Sequence, residues 1–258
     1  MITIKVIIPM NKKPKILLYD IETSLSVVAT FSLFNQYIGH ENILQDWNIL
    51  SAAWKWLGEK RVHSIHVWDD VENDKEVVKA LAAAISEADI IVGHNSAKFD
   101  LKKLNTRLLY HRLPPLDKRV LQIDTLKAAR KHFAFTSNRL DYLGEYLGIG
   151  GKKPTPNGLW RDILKGNKRK IMEMVAYNKH DVSPLLEGVY TAMRPYIDHP
   201  NMGGFFDDGR EHCPNCGSDK IHKHDKRPTK AGALNQRYRC TECASISCKK
   251  IHEAPKLK

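Results

Sequence analysis

A chain of 258 residues, 42% of them hydrophobic, can build one sizeable core and a small second unit, and its 41 Lys and Arg against 29 Asp and Glu leave a formal charge of +12. No apolar run reaches the roughly 18 residues of a membrane helix, and the opening M-I-T-I-K-V-I-I-P has neither a basic leader nor a small-residue cleavage pattern, so no membrane association and a cytoplasmic location are expected. All five cysteines follow residue 212, which argues against a secreted disulfide scaffold, and the basic balance suits a polyanionic partner.

In chain order, residues 15–22 form a near-continuous apolar run ending in charge, the pattern of a buried strand with functional residues at its end. Residues 28–38, 47–56 and 62–68 are rich in β-branched and aromatic side chains, and L-G-E-K-R between the last two predicts a hairpin. The tryptophans of this region, Trp47, Trp54, Trp56 and Trp68, are expected mainly in the core. Asn73 and Asp74 can cap a helix over 75–87, in which Val77, Val78, Leu81 and Ile85 recur at helical spacing. A-D-I-I-V-G-H is a short strand, 98–110 a helix stopped before Pro114-Pro115, R-V-L-Q-I-D a strand, and 125–132 and 139–147 two helices. I-G-G-K-K-P-T-P then predicts an exposed loop beside the site, followed by helices over about 167–179 and 182–195. Hairpin-like strands followed by alternating helix and strand indicate a mixed α/β sheet with helices on its faces. The Pro-, Gly- and charge-rich stretch 198–210 is expected to link a domain of residues 1–205 to a small one of 206–258.

Four acids stand in patterns that aim them at one point. In K-I-L-L-Y-D-I-E-T a strand repeat of two puts Asp20 and Glu22 on one face and Ile21 on the other. Asp100 closes H-N-S-A-K-F-D, and Asp181 follows Tyr177 by one helical turn in Y-N-K-H-D. Clustered carboxylates repel and are costly to bury without a cation. Paired divalent ions are the usual solution, and phosphoryl transfer is their usual chemistry. His94 is expected to pack or hydrogen-bond, Asp124 to cap the helix that follows it, and His180 to be a bystander.

The order and spacing of these motifs resemble those of the DEDD superfamily of 3′→5′ exonucleases, over about residues 14–197. The resemblance implies a ribonuclease H-like fold, with D-x-E matched by Asp20 and Glu22, the second motif by Asn95 and Asp100, and the third by Tyr177 and Asp181, the mark of the Tyr subclass. It implies two Mg²⁺ or Mn²⁺ ions held by Asp20, Glu22, Asp100 and Asp181. Asp20 would bridge them, Glu22 and Asp181 would complete the ion beside the attacking water, Asp100 would serve the other, and Tyr177 would orient that water. Asn95 becomes a candidate substrate contact. The expected activity is hydrolysis of nucleic acid, DNA in preference to RNA, to nucleoside monophosphates, in a bacterial or phage-infected cell and with a replication or recombination protein as a possible partner. A structure-selective endonuclease or RNase on the same scaffold, or a non-catalytic nucleic-acid-binding protein, is the alternative.

Cys213-Pro-Asn-Cys216 and Cys240-Thr-Glu-Cys243 are two C-x-x-C knuckles, each able to offer two thiolates from one turn, and together they suit a tetrahedral Zn²⁺. Cys248 is left over. This part resembles the zinc ribbons of transposases and other DNA-handling proteins, carried by C-P-N-C-G and Q-R-Y-R-C. Residues 206–258 hold twelve basic side chains against seven acidic ones, and Arg237, Tyr238 and Arg239 combine charge with a ring suited to phosphate contact and stacking. A nucleic-acid grip, a purely structural zinc and a protein-docking role are all open from the sequence.

Overall fold

The apolar run after Lys15 becomes the middle strand of the molecule. The computed structural model describes residues 13–32, 34, 37–154, 156 and 158–251. They fall into two units, one of Lys15–Ala192 and another built on the residues from Met193.

In the larger unit β1 (Ile16–Thr23) lies at the centre of a five-stranded sheet. On one side it pairs antiparallel with β4 (Ile49–Trp56), which pairs antiparallel with β5 (His63–His66). On the other it runs parallel to β6 (Ile90–Gly93), which runs parallel to β7 (Leu121–Asp124). A short ribbon of β2 (Val27–Val28) and β3 (Ile43–Gln45) stands apart from this sheet. The helices are α1 (Lys75–Ser86), α2 (Asp100–Tyr110), α3 (Thr125–His132), α4 (Leu140–Tyr146), α5 (Leu159–Leu164), α6 (Lys168–His180) and α7 (Glu187–Met193).

The strand alternation sorts β1 cleanly. Leu17, Tyr19 and Ile21 join Val77, Val78, Leu81 and Ile85 of α1 and Leu104 and Leu108 of α2 in the core. Asp20 and Glu22 take the opposite face, in register with Ala53 and Ser51 of β4. Parallel β1, β6 and β7 all finish on the same side of the sheet, where open α/β sheets carry their sites, and β1 and β7 bring acids there.

Several elements differ from the sequence reading. The expected strand over 28–38 is reduced to Val27–Val28 at its start, and residues 33, 35 and 36 of it lie outside the described residues. Helix α5 was not foreseen, because two prolines and Gly158 in the preceding stretch masked its short pattern. The helix expected over 182–195 is interrupted, since Ser183 leaves helical geometry (φ −150°, ψ 124°) in front of Pro184, whose ring disfavours the helical region for its predecessor. Trp47, Trp54 and Trp56 pack against the core, whereas Trp68 is 41% exposed under the Lys168 ammonium. Asp74 does not cap α1 with its side chain. Instead it is fully buried, accepting from the Ile49 backbone N–H (2.8 Å), from Arg107 Nε and Nη2 (2.7 Å each) and pairing with His111 Nε2 (2.6 Å), and so it ties α1, α2 and β4 together.

The smaller unit holds a three-stranded antiparallel sheet, β8 (Ile221–Pro228), β9 (Leu234–Cys240) and β10 (Ile246–Lys250), with β9 in the middle. It buries few aliphatic side chains. Met202 packs inside, with its N–H on the Pro214 carbonyl (2.7 Å), and Phe206 stacks on His212 at 4.1 Å between ring centroids.

Candidate active site

Carboxylate oxygens of Asp20, Glu22 and Asp181 lie within 4.8 Å of one another. The first two come from the end of β1, while Asp181 closes the last turn of α6. Asp100, the first residue of α2, is the fourth. Its Oδ1 accepts from the Ile21 backbone N–H (3.2 Å), which fastens α2 to β1 between the two acids of the first motif.

The turn that aims Asp100 is itself held from β7. Asn95 adopts a left-handed conformation (φ 62°), and its N–H and that of Ala97 both donate to Asp124, at 3.0 and 3.2 Å. The same carboxylate caps α3 through the N–H groups of Leu126 and Lys127. Asp124 is therefore the bracket between two turns. His94 bonds Thr125 Oγ1 through Nδ1 (2.9 Å), and burial depresses its pKa to about 4.

On the other side of β1, Ser51 donates to Asn178 Oδ1 (2.9 Å) and Asn178 Nδ2 donates to Asp20 Oδ2 (2.7 Å). Asn178 is fully buried. Behind Asp181, the break at Ser183 is pinned by a partly buried ion pair: Lys55 Nζ reaches Glu187 Oε2 (2.5 Å) and Ser183 Oγ (3.2 Å). Tyr177 stands half-buried one turn before Asp181.

A lysine completes the cluster. Lys152, from the Gly-rich loop, places its ammonium on Asp181 Oδ2 and 5.4 Å from the centre of the Tyr177 ring. His180 holds the loop through Nε2 on the Gly151 carbonyl (3.1 Å). The loop also presses on α4: a Cβ at Gly144 would come within 2.3 Å of the Gly150 carbonyl oxygen.

Burial pushes all four carboxylic acids up. Asp20 stands well above the usual carboxylate range through burial and the charges of Asp100, Glu22 and Asp181. Glu22 reaches about 7 through burial, with Lys152 opposing the rise. Asp100 also reaches about 7 through burial, against the pull of hydrogen bonds from backbone N–H groups, and Asp181 rises by burial although Lys152 pulls it back. Such a set holds too much latent negative charge for one ammonium. Asp181 Oδ1 is buried without a hydrogen-bond partner, and the donors are all hard oxygens, so Asp20, Glu22, Asp181 and the adjacent Asp100 could hold Mg²⁺ or Mn²⁺.

In the smaller unit the four sulfurs of Cys213, Cys216, Cys240 and Cys243 lie within 4.8 Å of one another. Cys213 and Cys243 are 3.7 Å apart and Cys216 and Cys240 3.6 Å, against the about 3.8 Å edge of a tetrahedron with Zn–S bonds near 2.3 Å. These residues could hold Zn²⁺. Ser245 Oγ bonds the sulfurs of Cys213 (3.3 Å) and Cys243 (3.1 Å). Burial raises the Cys243 thiol, but hydrogen bonds from the Ser245 hydroxyl and backbone N–H and from Cys216 and Cys213 outweigh it and leave the thiol at about 7. His212 bonds Asp208 and the Gly217 carbonyl, and Cys248 lies exposed on β10. On β9 Arg239 is exposed and Tyr238 half-buried, whereas Arg237 is engaged by Asp225 at 3.3 Å.

Sequence reasoning did not single out Lys152, Asn178, Ser51 or Ser245. Only Asn178 left a usable signal, three residues before Asp181 on the helix face that meets the sheet.

Residues 44–193 match the model of the RNase_H superfamily. Among solved structures the chain is similar to the family B DNA polymerase from the hyperthermophilic archaeon Pyrobaculum calidifontis, with a TM-score of 0.53 and 16% sequence identity. That match covers 70% of this chain and 25% of the polymerase, so the chain spans about a quarter of that protein and shares its fold over that part. No curated protein sequence matches the chain. Among the described residues no helix is long and apolar enough to cross a membrane.

Proposed function

Since this chain belongs to the RNase_H superfamily, a group whose fold supports nuclease chemistry, we propose that it is a divalent-metal-dependent 3′→5′ exonuclease releasing nucleoside monophosphates, with DNA as its substrate. The observation that carries the reading is the meeting of Asp20, Glu22 and Asp181 within 4.8 Å, with Asp100 fastened to the backbone between the first two. The D-x-E, N-x-x-x-x-D and Y-x-x-x-D pattern that supplies these side chains supports the exonuclease class, and the +12 charge supports a polyanionic substrate.

Asp20, Glu22 and Asp181 would hold one Mg²⁺ or Mn²⁺, and Asp100 together with Asp20 a second. When bound, such ions stabilise the charge that builds on the phosphate and on the departing 3′ oxygen. The remaining work falls to side chains. Asn178 fixes the rotamer of Asp20. The Tyr177 hydroxyl orients the attacking water and accepts or returns no proton of its own. Lys152 neutralises Asp181 until the site is loaded and then faces the phosphate. Cys213, Cys216, Cys240 and Cys243 would hold one structural Zn²⁺ that folds the smaller unit, whose exposed Lys223 and Arg239 contact the phosphate backbone.

End-labelled single- and double-stranded DNA and RNA, incubated with Mn²⁺, test the reading. Mononucleotides should appear from the 3′ end, and Asp20→Ala or Asp181→Asn should abolish their release without unfolding the protein. Cleavage of a covalently closed circle would instead establish an endonuclease, and full activity in either folded variant would refute the assignment.

A further inference from the structure

Four aromatic rings on the larger unit form an unbroken ladder that neither the core nor the acidic site uses. Phe133 stacks on Phe135 (centroids 5.1 Å apart, planes 27° apart), Phe135 meets the edge of Tyr146 (5.3 Å, 77°), and Tyr146 stacks on Tyr142 (6.0 Å, 28°). The interior side of this segment is taken by Ala129, Leu140 and Leu143, all buried. Phe133, Phe135 and Tyr142 are half-buried and Tyr146 is 65% exposed. Two exposed cations, Lys127 and Arg130, stand on the same segment, and Arg139 pairs with Asp141 at 3.4 Å.

The elements that carry the ladder are tied to the acidic cluster at the start of α3 and at the middle of α4. Helix α3 starts at the site, where Thr125 bonds His94 and Asp124 holds the turn that carries Asp100. It ends in Arg130, Lys131 and His132, directly before Phe133. Helix α4, which carries Tyr142 and Tyr146, lies against the loop of Lys152 through the Gly144–Gly150 approach. Eight residues of helix span about 12 Å, which corresponds to about three or four nucleotides at a stacked rise of about 3.4 Å.

We propose that Phe135, Tyr142 and Tyr146, with Lys127 and Arg130, form a stacking platform for the unpaired bases of a single strand, a few nucleotides upstream of the residue in the acidic site. The proposal rests on the nuclease reading for its second half only. Duplex bases present no free faces to such rings, whereas unpaired bases of any sequence do, and the flanking cations meet the phosphates between them. Electrostatics alone would give a surface indifferent to strandedness. The aromatic ladder makes it selective for single strands.

The test uses the full chain and a fluorescein-labelled single-stranded oligodeoxythymidylate of about twelve nucleotides, with EDTA present so that binding is read without cleavage. Tyr146→Ala and Phe135→Ala should each weaken binding about tenfold, Tyr146→Phe should restore it, and binding of a duplex of the same length should not move. Lys127→Gln with Arg130→Gln, on an exposed helix face, should lower the salt dependence of binding without disturbing the fold. Unchanged single-strand affinity in folded Tyr146→Ala, or equal losses for single strand and duplex, would overturn the platform. Hydrolysis of a dinucleotide with Mn²⁺, too short to reach the ladder, should be the same in all these variants. Its absence in the unaltered protein would overturn the nuclease reading, while the binding arm still decides the platform.

Discussion

The Lys152 ammonium rests on the Asp181 carboxylate, in the position where the acidic cluster most needs positive charge. Because the lysine arrives on a loop and not from a helix or strand, its long side chain can swing off Asp181 without moving either. A tethered cation of this kind competes with a diffusible one for the same oxygens. Lys152→Met should therefore lower the melting temperature in EDTA, where Asp181 loses its partner, and raise Mn²⁺ affinity about tenfold, a change well within the interaction of two charges at such range. Differential scanning fluorimetry with and without metal, and paramagnetic resonance of free Mn²⁺, read the two effects. Equal Mn²⁺ affinities in the two proteins would show that the lysine does not compete.

Tyr177 lies half-buried beside that ammonium, 5.4 Å from ring centre to Nζ. Its ring can be kept while its hydroxyl is removed. Tyr177→Phe should cut the rate of hydrolysis about a hundredfold, the usual scale for losing a positioned polar group, and leave oligonucleotide affinity within error. Single-turnover kinetics separates the two, and an unchanged rate would mean that another group positions the water.

Asn178 acts through Asp20. Its amide is fully buried between Ser51 and Asp20, so it holds one carboxylate rotamer and one oxygen lone pair. Residues that orient a ligand typically alter metal affinity about 10–100-fold when removed. Asn178→Ala should weaken Mn²⁺ binding by that order, and raising the metal concentration should recover most of the lost activity. A defect that saturating metal cannot relieve would mark Asn178 as structural instead.

The parts of this arrangement that the sequence disclosed are those governed by short periodicities. Asp20 and Glu22 share a face because strands repeat every two residues, and Tyr177 and Asp181 because helices return every four. The Cys pairs were equally local. Asp124 was readable as a cap because its pattern, a strand end followed by Thr125, is also local. What stayed hidden depends on which loop reaches which strand. Nothing near Lys152 in the chain marks it apart from Lys153, and only the fold brings it from a Gly-rich loop to Asp181. Asp74 misled for the same reason: its place before α1 fits a cap, but Arg107 and His111 on α2 capture the side chain first.

That capture links Asp74 to the stability of the fold in acid. Burial alone would push its carboxyl up, yet Arg107, His111 and the Ile49 N–H together hold it below the usual 3.8. The unfolded chain therefore takes up the proton first as pH falls, so the contribution is complete above the ordinary value and is lost as pH drops through the folded one. Denaturant melts should show stability declining below about pH 4 in the unaltered protein. Asp74→Asn should show a shallower decline and be less stable by about 3 kcal/mol at neutral pH, because Arg107 would be left buried without its counter-charge. A folded variant with unaltered midpoint would remove this ion pair from the stability account.

The smaller unit depends on its sulfurs for a different reason. Its strands bury little aliphatic surface, and the residues most fully enclosed include Cys213 and Cys240 themselves. Among the described residues of that unit there is no core large enough to replace a metal, and a structural Zn²⁺ contributes about 10 kcal/mol or more to such folds. Cys216→Ser should abolish the one zinc per chain expected by atomic emission and collapse the amide dispersion of residues 213–250 in a ¹H–¹⁵N spectrum. The acidic residues and Lys152 all belong to Lys15–Ala192, so hydrolysis of a dinucleotide should survive the change. Retained dispersion in a zinc-free protein would show that hydrogen bonds such as those from Ser245, and not the ion, hold the knuckles together.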